Sequence, residues 1–169
     1  MTCIIGHRDG WMVADVAHSF TDLTRVPCYT SKLCHWALPA AAGRIKIMWA
    51  TCGSAVLHDK TVRAVEDDAI QELTAVFRAH PGEGEALVVC GTGDLYHIAS
   101  SGALMRLTAE YWAIGSGYQA ALGYLRGQHE GLSEAHVTIE EAKRAIGFAS
   151  ELCMDVSKET TDLSFSDFG

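Results

Sequence analysis

At 169 residues and 18.2 kDa, with 49 % hydrophobic and 20 % charged residues, the chain has the make-up of one folded domain with a substantial core, which excludes a disordered polymer. A formal net charge of −8 at pH 7 repels phosphate backbones and anionic headgroups, so no nucleic acid and no membrane is expected as a partner. Six cysteines without a C-x-x-C pair, behind a start that lacks the charge-then-apolar order of a secretory leader, are expected to be reduced thiols in a cytoplasmic protein.

In chain order, Thr2 to Gly6 and Trp11 to Val16 are short apolar runs around His7-Arg8-Asp9-Gly10. Asp-Gly between such runs predicts a hairpin closed by a tight primed turn, with positive φ at both central positions. A polar, turn-rich stretch runs from Ala17 to Tyr29. Ser31 to Ala37 and Arg44 to Cys52 read as the next strands, joined by a loop containing Pro39 and Gly43. Ile45, Ile47 and Trp49 alternate with Lys46 and Met48, which predicts one buried face. Cys34-His35 places two possible metal ligands side by side, but a small buried thiol is the commoner fate of free cysteine, and no metal or other cofactor is expected.

After Gly53-Ser54 a helical pattern is clearest from Thr61 to Ala79, with Val62, Val65, Ala69, Ile70, Leu73, Val76 and Phe77 on one face and Pro81-Gly82 as its stop. Ala86 to Gly91 reads as a buried strand, Leu95 to Ala99 as its hairpin partner across Thr92-Gly93-Asp94, and Glu110 to Gly115 as one more strand after a turn at Ser101-Gly102. A small helix comes next, over Tyr118 to Leu125. Thr138-Ile139-Glu140-Glu141 is a capping-box signature opening a helix to about Cys153, with Ala142, Ala145, Ile146, Ala149, Leu152 and Cys153 on one side. The tail is polar, with a short strand at Leu163 to Phe165. Strand hairpins, then helices, then strands, then helices predict a single α+β domain over 1–169 in which helices pack outside sheets.

The chemistry-bearing feature is Thr2 at the start of a strand. A small second residue permits removal of Met1, which leaves a threonine with a free α-amine. Such an amine has an ordinary pKa of roughly 7.7 to 8.0, so near neutrality part of it is unprotonated and can take the proton of its own hydroxyl. Met-Thr alone begins many chains. Weight comes from a series of short segments in a fixed order: Thr2, the Asp-Gly hairpin, Asp15, Ser31-Lys32-Leu33, Cys52-Gly53-Ser54, Gly91-Thr92-Gly93-Asp94 and Ala113-Ile114-Gly115-Ser116-Gly117.

This series resembles the proteasome β-subunit family, including the bacterial HslV-type peptidases, across nearly the full length. The Ala-Ile-Gly-Ser-Gly segment is its most specific part. The resemblance implies an N-terminal nucleophile hydrolase fold: a four-layer αββα sandwich, two antiparallel sheets flanked by helices. It implies a threonine endopeptidase with Thr2 as nucleophile and, through its amine, base. Lys32 would stand beside the hydroxyl and Asp15 would hold Lys32. The Gly53 N–H would donate to the oxyanion, and Ser116 would hydrogen-bond the terminal amine with Asp155 and Ser157 behind it. Ala50 and Ser19 would contact the peptide substrate. Stacked homo-oligomeric rings, and a possible ATP-dependent unfoldase, are the implied partners. Two other readings stand beside this one: an inactive ring-forming scaffold that keeps Met1, and an N-terminal nucleophile amidohydrolase acting on a small amide. One departure bears on architecture, because Gly53 to Ala86 is short for the pair of central helices usual in the family.

Overall fold

A computed structural model of the chain describes residues 2–16, 32–40, 43–65, 68–129 and 136–167, with backbone alone for 36–40 and 43–45. Strand β1 (Ile4–His7) turns back into β2 (Trp11–Asp15) with His7 paired to Trp11. The loop is therefore three residues long, closed by Gly10 N–H donating to the His7 carbonyl at 3.1 Å. Gly10 alone takes positive φ, at 87°, because no non-glycine residue among those described does. This corrects the primed two-residue turn: the hairpin uses a three-residue loop with glycine in the left-handed position.

Strands β3 (Leu33–Ala40) and β4 (Gly43–Gly53) form a long antiparallel pair that runs through Pro39 and Gly43, so the expected loop there is strand instead. The expectation of one buried face on β4 also fails. Met48, Ala50 and Cys52 pack into the core between the sheets, while Ile47 and Trp49 pack beneath helices. A central strand with a sheet on one side and helices on the other buries both faces, which erases the polar alternation.

Two helices come next, α1 (Ala55–Ala64) and α2 (Ala69–Ala79). The sequence pattern runs across both, because Val65 and Ala69 are each buried and sit four apart. The chain breaks between them at Asp68, whose side chain caps α2 by accepting from the Gln71 N–H. The central helix pair is thus present in the short interval. Val62 is 45 % exposed, so it lies off the buried face to which the single-helix reading assigns it.

Strands β5 (Gly84–Cys90), β6 (Leu95–Ile98) and β7 (Leu104–Leu107) continue the sheet in the order β3-β4-β5-β6-β7. Strand β8 (Tyr111–Ile114) returns to pair with β1, α3 (Tyr118–Gln128) and α4 (Ile139–Leu152) succeed it, and β9 (Thr160–Ser164) pairs with β2 before a 3₁₀ turn over Phe165–Asp167. The second sheet is β8-β1-β2-β9. The capping box at α4 forms as the sequence predicts, with Glu141 N–H donating to Thr138 Oγ1 at 3.3 Å and Thr138 N–H to Glu141 Oε2 at 2.8 Å. Such a cap is worth about 1 kcal/mol. Ala142, Ala145, Ile146 and Ala149 are buried from it, whereas Leu152 is 64 % exposed.

Three apolar cores result. Helices α1 and α2 cover one sheet around Leu73, Phe77 and Val88, helices α3 and α4 cover the other around Val13, Leu125 and Ile146, and Ile4, Met12, Met48 and Leu87 fill the space between the sheets. Each fully buried side chain of this size contributes about 1.5–3 kcal/mol. This is the expected α+β sandwich of two antiparallel sheets between helices. No helix among the described residues is long and apolar enough to cross a membrane.

Candidate active site

The site is assembled at the end of the sandwich where β1 begins, β2 ends and β3 begins. Thr2 is buried ahead of β1. Lys32, just before β3, reaches across from the other sheet and donates from Nζ to Thr2 Oγ1 at 2.7 Å and to Asp15 Oδ1 at 2.9 Å. Asp15 is fully buried at the end of β2. Its carboxylate takes two further donors, the Cys3 N–H at 2.9 Å on Oδ1 and the Ser157 N–H at 3.2 Å on Oδ2. A buried carboxylate needs such company to be tolerated, and here it also fixes the lysine.

Burial lowers the proton affinity of Lys32 below the usual lysine range, and the hydrogen bond and charge of Asp15 oppose that only in part. A lysine so placed releases a proton more readily than one in water. The neighbouring Cys3 thiol is pushed up to about 12, chiefly by burial and then by Asp15, so it remains a neutral core group beside Thr2.

The turn after β8 holds the Thr2 backbone. Gly117 N–H donates to the Thr2 carbonyl at 3.4 Å and Ser116 Oγ donates to the same oxygen at 3.5 Å. Sequence reasoning places Ser116 on the terminal amine; the bond found is to the carbonyl of that residue. Gly115 sits so close that a Cβ there would come within 2.1 Å of the Thr2 carbonyl oxygen, and its φ is +89°. Only glycine fits.

Gly53 ends β4. Ser54 N–H donates to the Glu83 carbonyl at 2.9 Å, so the alternation of the antiparallel ladder makes Gly53 and Gly84 a non-hydrogen-bonded pair. The Gly53 N–H therefore points away from β5, to the side on which β3 lies. Beside it, Thr51 Oγ1 and His58 Nδ1 are 2.7 Å apart, and Cys34 Sγ lies 3.9 Å from His58 Nε2.

The other residues singled out from the sequence have varied fates. Ser157 joins the site through its backbone N–H. Asp155 is half-buried in the same turn and hydrogen-bonds none of the site residues among those described. Ala50 is fully buried in the inter-sheet core with Leu33 and Met48, so packing occupies the position expected to touch substrate. Ser19 and Met1 lie outside the described residues. Sequence reasoning missed the backbone donors of Cys3 and Gly117, which carry no side-chain signal. It also missed Glu85, a charge at the mouth of an apolar strand whose residue pattern begins only at Ala86.

No protein-family model matches the chain. No curated protein matches it in sequence. Solved structures do. The chain is similar to eukaryotic HslV from Trypanosoma brucei, with a TM-score of 0.67 and 14 % identity over 96 % of this chain and 98 % of that one. It is similar to the Gly-1 mutant of Anbu from Hyphomicrobium sp. strain MC1, with a TM-score of 0.73 and 13 % identity over 97 % of this chain and 81 % of that one. It is similar also to Anbu from Pseudomonas aeruginosa, described as a helical assembly, with a TM-score of 0.67 and 13 % identity over 97 % and 80 % of the two chains. Together with two antiparallel sheets between helix pairs, these likenesses show that the chain has the proteasome β-subunit-like, N-terminal nucleophile hydrolase fold.

Proposed function

We propose that this protein is a threonine-type peptidase subunit in which Thr2, exposed by removal of Met1, is the nucleophile. The observation that carries the reading is the 2.7 Å contact from Lys32 Nζ to Thr2 Oγ1, backed by the buried Asp15. A solvated surface lysine would have neither the hydroxyl partner nor the enclosed carboxylate.

Thr2 Oγ1 attacks the carbonyl carbon of a peptide bond while its proton passes to the freed α-amine, part of which is neutral near pH 7. Lys32, paired with Asp15 and donating to the hydroxyl at 2.7 Å, stabilises the alkoxide that develops there. The oxyanion takes the Gly53 N–H, a preorganised donor aimed to the side of β4 on which Lys32 lies. Breakdown of the tetrahedral adduct hands the proton to the leaving amine and leaves an ester on Thr2. Water then cleaves the ester and restores the hydroxyl.

The fold likeness to HslV and Anbu supports a self-assembling complex, rings or an open helical array, that confines cleavage to an inner surface. An ATP-dependent unfoldase that feeds such a complex belongs to the same reading. A cytoplasmic setting suits free thiols at Cys3, Cys34, Cys52, Cys90 and Cys153.

The test is an intact-mass measurement of the purified protein, then labelling with a threonine-reactive electrophile. Loss of one methionine and an adduct on Thr2, absent in Thr2→Ala, is the expected result. A chain that keeps Met1 and cleaves no peptide overturns the assignment in favour of a scaffold.

A further inference from the structure

The two halves of the candidate site sit on different sheets: Gly53 belongs to β4 and the Gly115–Gly117 turn comes after β8. One side chain joins them. Glu85, near the start of β5, accepts the Gly115 N–H at 3.1 Å and the Cys52 thiol at 3.4 Å, both on Oε1. Its other oxygen lies 2.7 Å from His97 Nε2, on the neighbouring strand β6. Cys52 is paired with Glu85 across the ladder and precedes Gly53 directly.

We propose that Glu85 is a positioning residue that sets the distance between the Gly53 end of β4 and the Gly115–Gly117 turn, and so places Thr2 against its oxyanion donor. The inference rests on the peptidase reading for its catalytic half. The Thr2 carbonyl hangs on Ser116 and Gly117, so a shift in Gly115 is passed straight to Thr2. Each partner of the carboxylate has a restricted position. Gly115 is wedged against the Thr2 carbonyl, Cys52 is almost fully buried, and the His97 side chain is 14 % exposed. Much of the space between the sheets is filled by apolar side chains that tolerate sliding, whereas the hydrogen bonds of this carboxylate, like that from Lys32 to Thr2, are short and directional. Small misplacements of a nucleophile are costly: a displacement on the order of 1 Å can lose about a hundredfold in rate.

The experiment compares Glu85→Ala and Glu85→Gln with the parent chain, in the full-length assembled protein at a temperature well below its unfolding midpoint. Glutamine keeps an oxygen for the Gly115 N–H; alanine keeps none. The alanine variant is expected to lose about tenfold or more in kcat with KM within about twofold, and glutamine to retain kcat within about threefold. Backbone amide exchange over residues 111–117 should quicken in the alanine variant and not in glutamine. Should the alanine protein fail to fold, Glu85→Asp, one methylene too short, is expected to show the same loss of kcat and the same faster exchange. An alanine or aspartate variant that melts earlier yet keeps parental kcat while folded, or leaves exchange at 111–117 unchanged, overturns the proposal. A parent chain that forms no adduct on Thr2 is a failure of the peptidase reading; unchanged exchange in the alanine and aspartate variants is a failure of the Glu85 link.

Discussion

Asp15 and Lys32 form an enclosed ion pair, with Nζ 2.9 Å from Oδ1 and side chains 0 % and 8 % exposed. Removing one member leaves the other charged and unpaired inside the protein. Asp15→Ala is therefore expected to destabilise the fold by about 3–5 kcal/mol, read as a lower midpoint in denaturant unfolding. The Cys3 and Ser157 N–H groups lose their acceptor at the same time, which adds to the loss. A midpoint unchanged from the parent would mean that the pair is solvated in solution.

Lys32→Ala is expected to lower turnover by about a hundredfold or more, because the hydroxyl of Thr2 loses the nitrogen at 2.7 Å. Lys32→Arg should not rescue it. A guanidinium brings a flat fork where a point donor fits. The measurement is the rate of adduct formation on Thr2, which isolates the nucleophile from substrate binding. Equal rates in the parent and the arginine variant would show that any cation at this position serves.

Gly115→Ala tests the close approach of the β8 turn to Thr2. The new Cβ would stand 2.1 Å from the Thr2 carbonyl oxygen at a φ of +89°, so backbone must move. A cost of at least about 2 kcal/mol in stability is expected, together with loss of Thr2 labelling. Gly93→Ala, at another glycine of positive φ with open space around it, should cost less and leave labelling intact.

His7, stacked against Trp11 with ring centroids 4.9 Å apart, contributes a pH dependence to stability. Burial lowers its proton affinity below the ordinary 6.5, with Asp9 opposing. The unfolded chain then binds a proton that the folded chain refuses, so stability rises with pH through the interval up to the ordinary value and is lost as pH falls through it. Unfolding midpoints at about pH 7.5 and about pH 5.5 should differ in that direction. His7→Phe, which keeps the ring stack, should shrink the difference; an unchanged difference would assign it to other groups.

Local signals are legible wherever neighbours in the chain decide the outcome. The Thr138–Glu141 capping box, the buried face of α4 from Ala142 to Ala149 and the hairpin at Asp9-Gly10 all form among residues close in sequence. Signals fail where the partner comes from elsewhere. Strand β7 escapes a sequence reading because Leu104 and Met105 are 38 % and 42 % exposed, so the apolar residues that would mark it do not form a buried face. The break at Asp68 is hidden because two separate helices turn matching faces to one sheet.

For the site, residue chemistry alone marks Thr2 as a hydroxyl near the start of the chain and Asp15 as a carboxylate inside an apolar run, while Lys32 enters through the resemblance that the ordered segments carry. What tertiary structure alone decided is how those groups meet. Lys32 crosses from one sheet to a hydroxyl on the other, Ser116 takes the Thr2 carbonyl, and Ala50 turns into the core. The physical reason is that these outcomes depend on the packing of one sheet on the other and on the pairing of β1 with β8, which bring together residues 30 and 114 positions apart in the chain. Contacts of that kind leave no periodicity or spacing in the amino-acid order to be read.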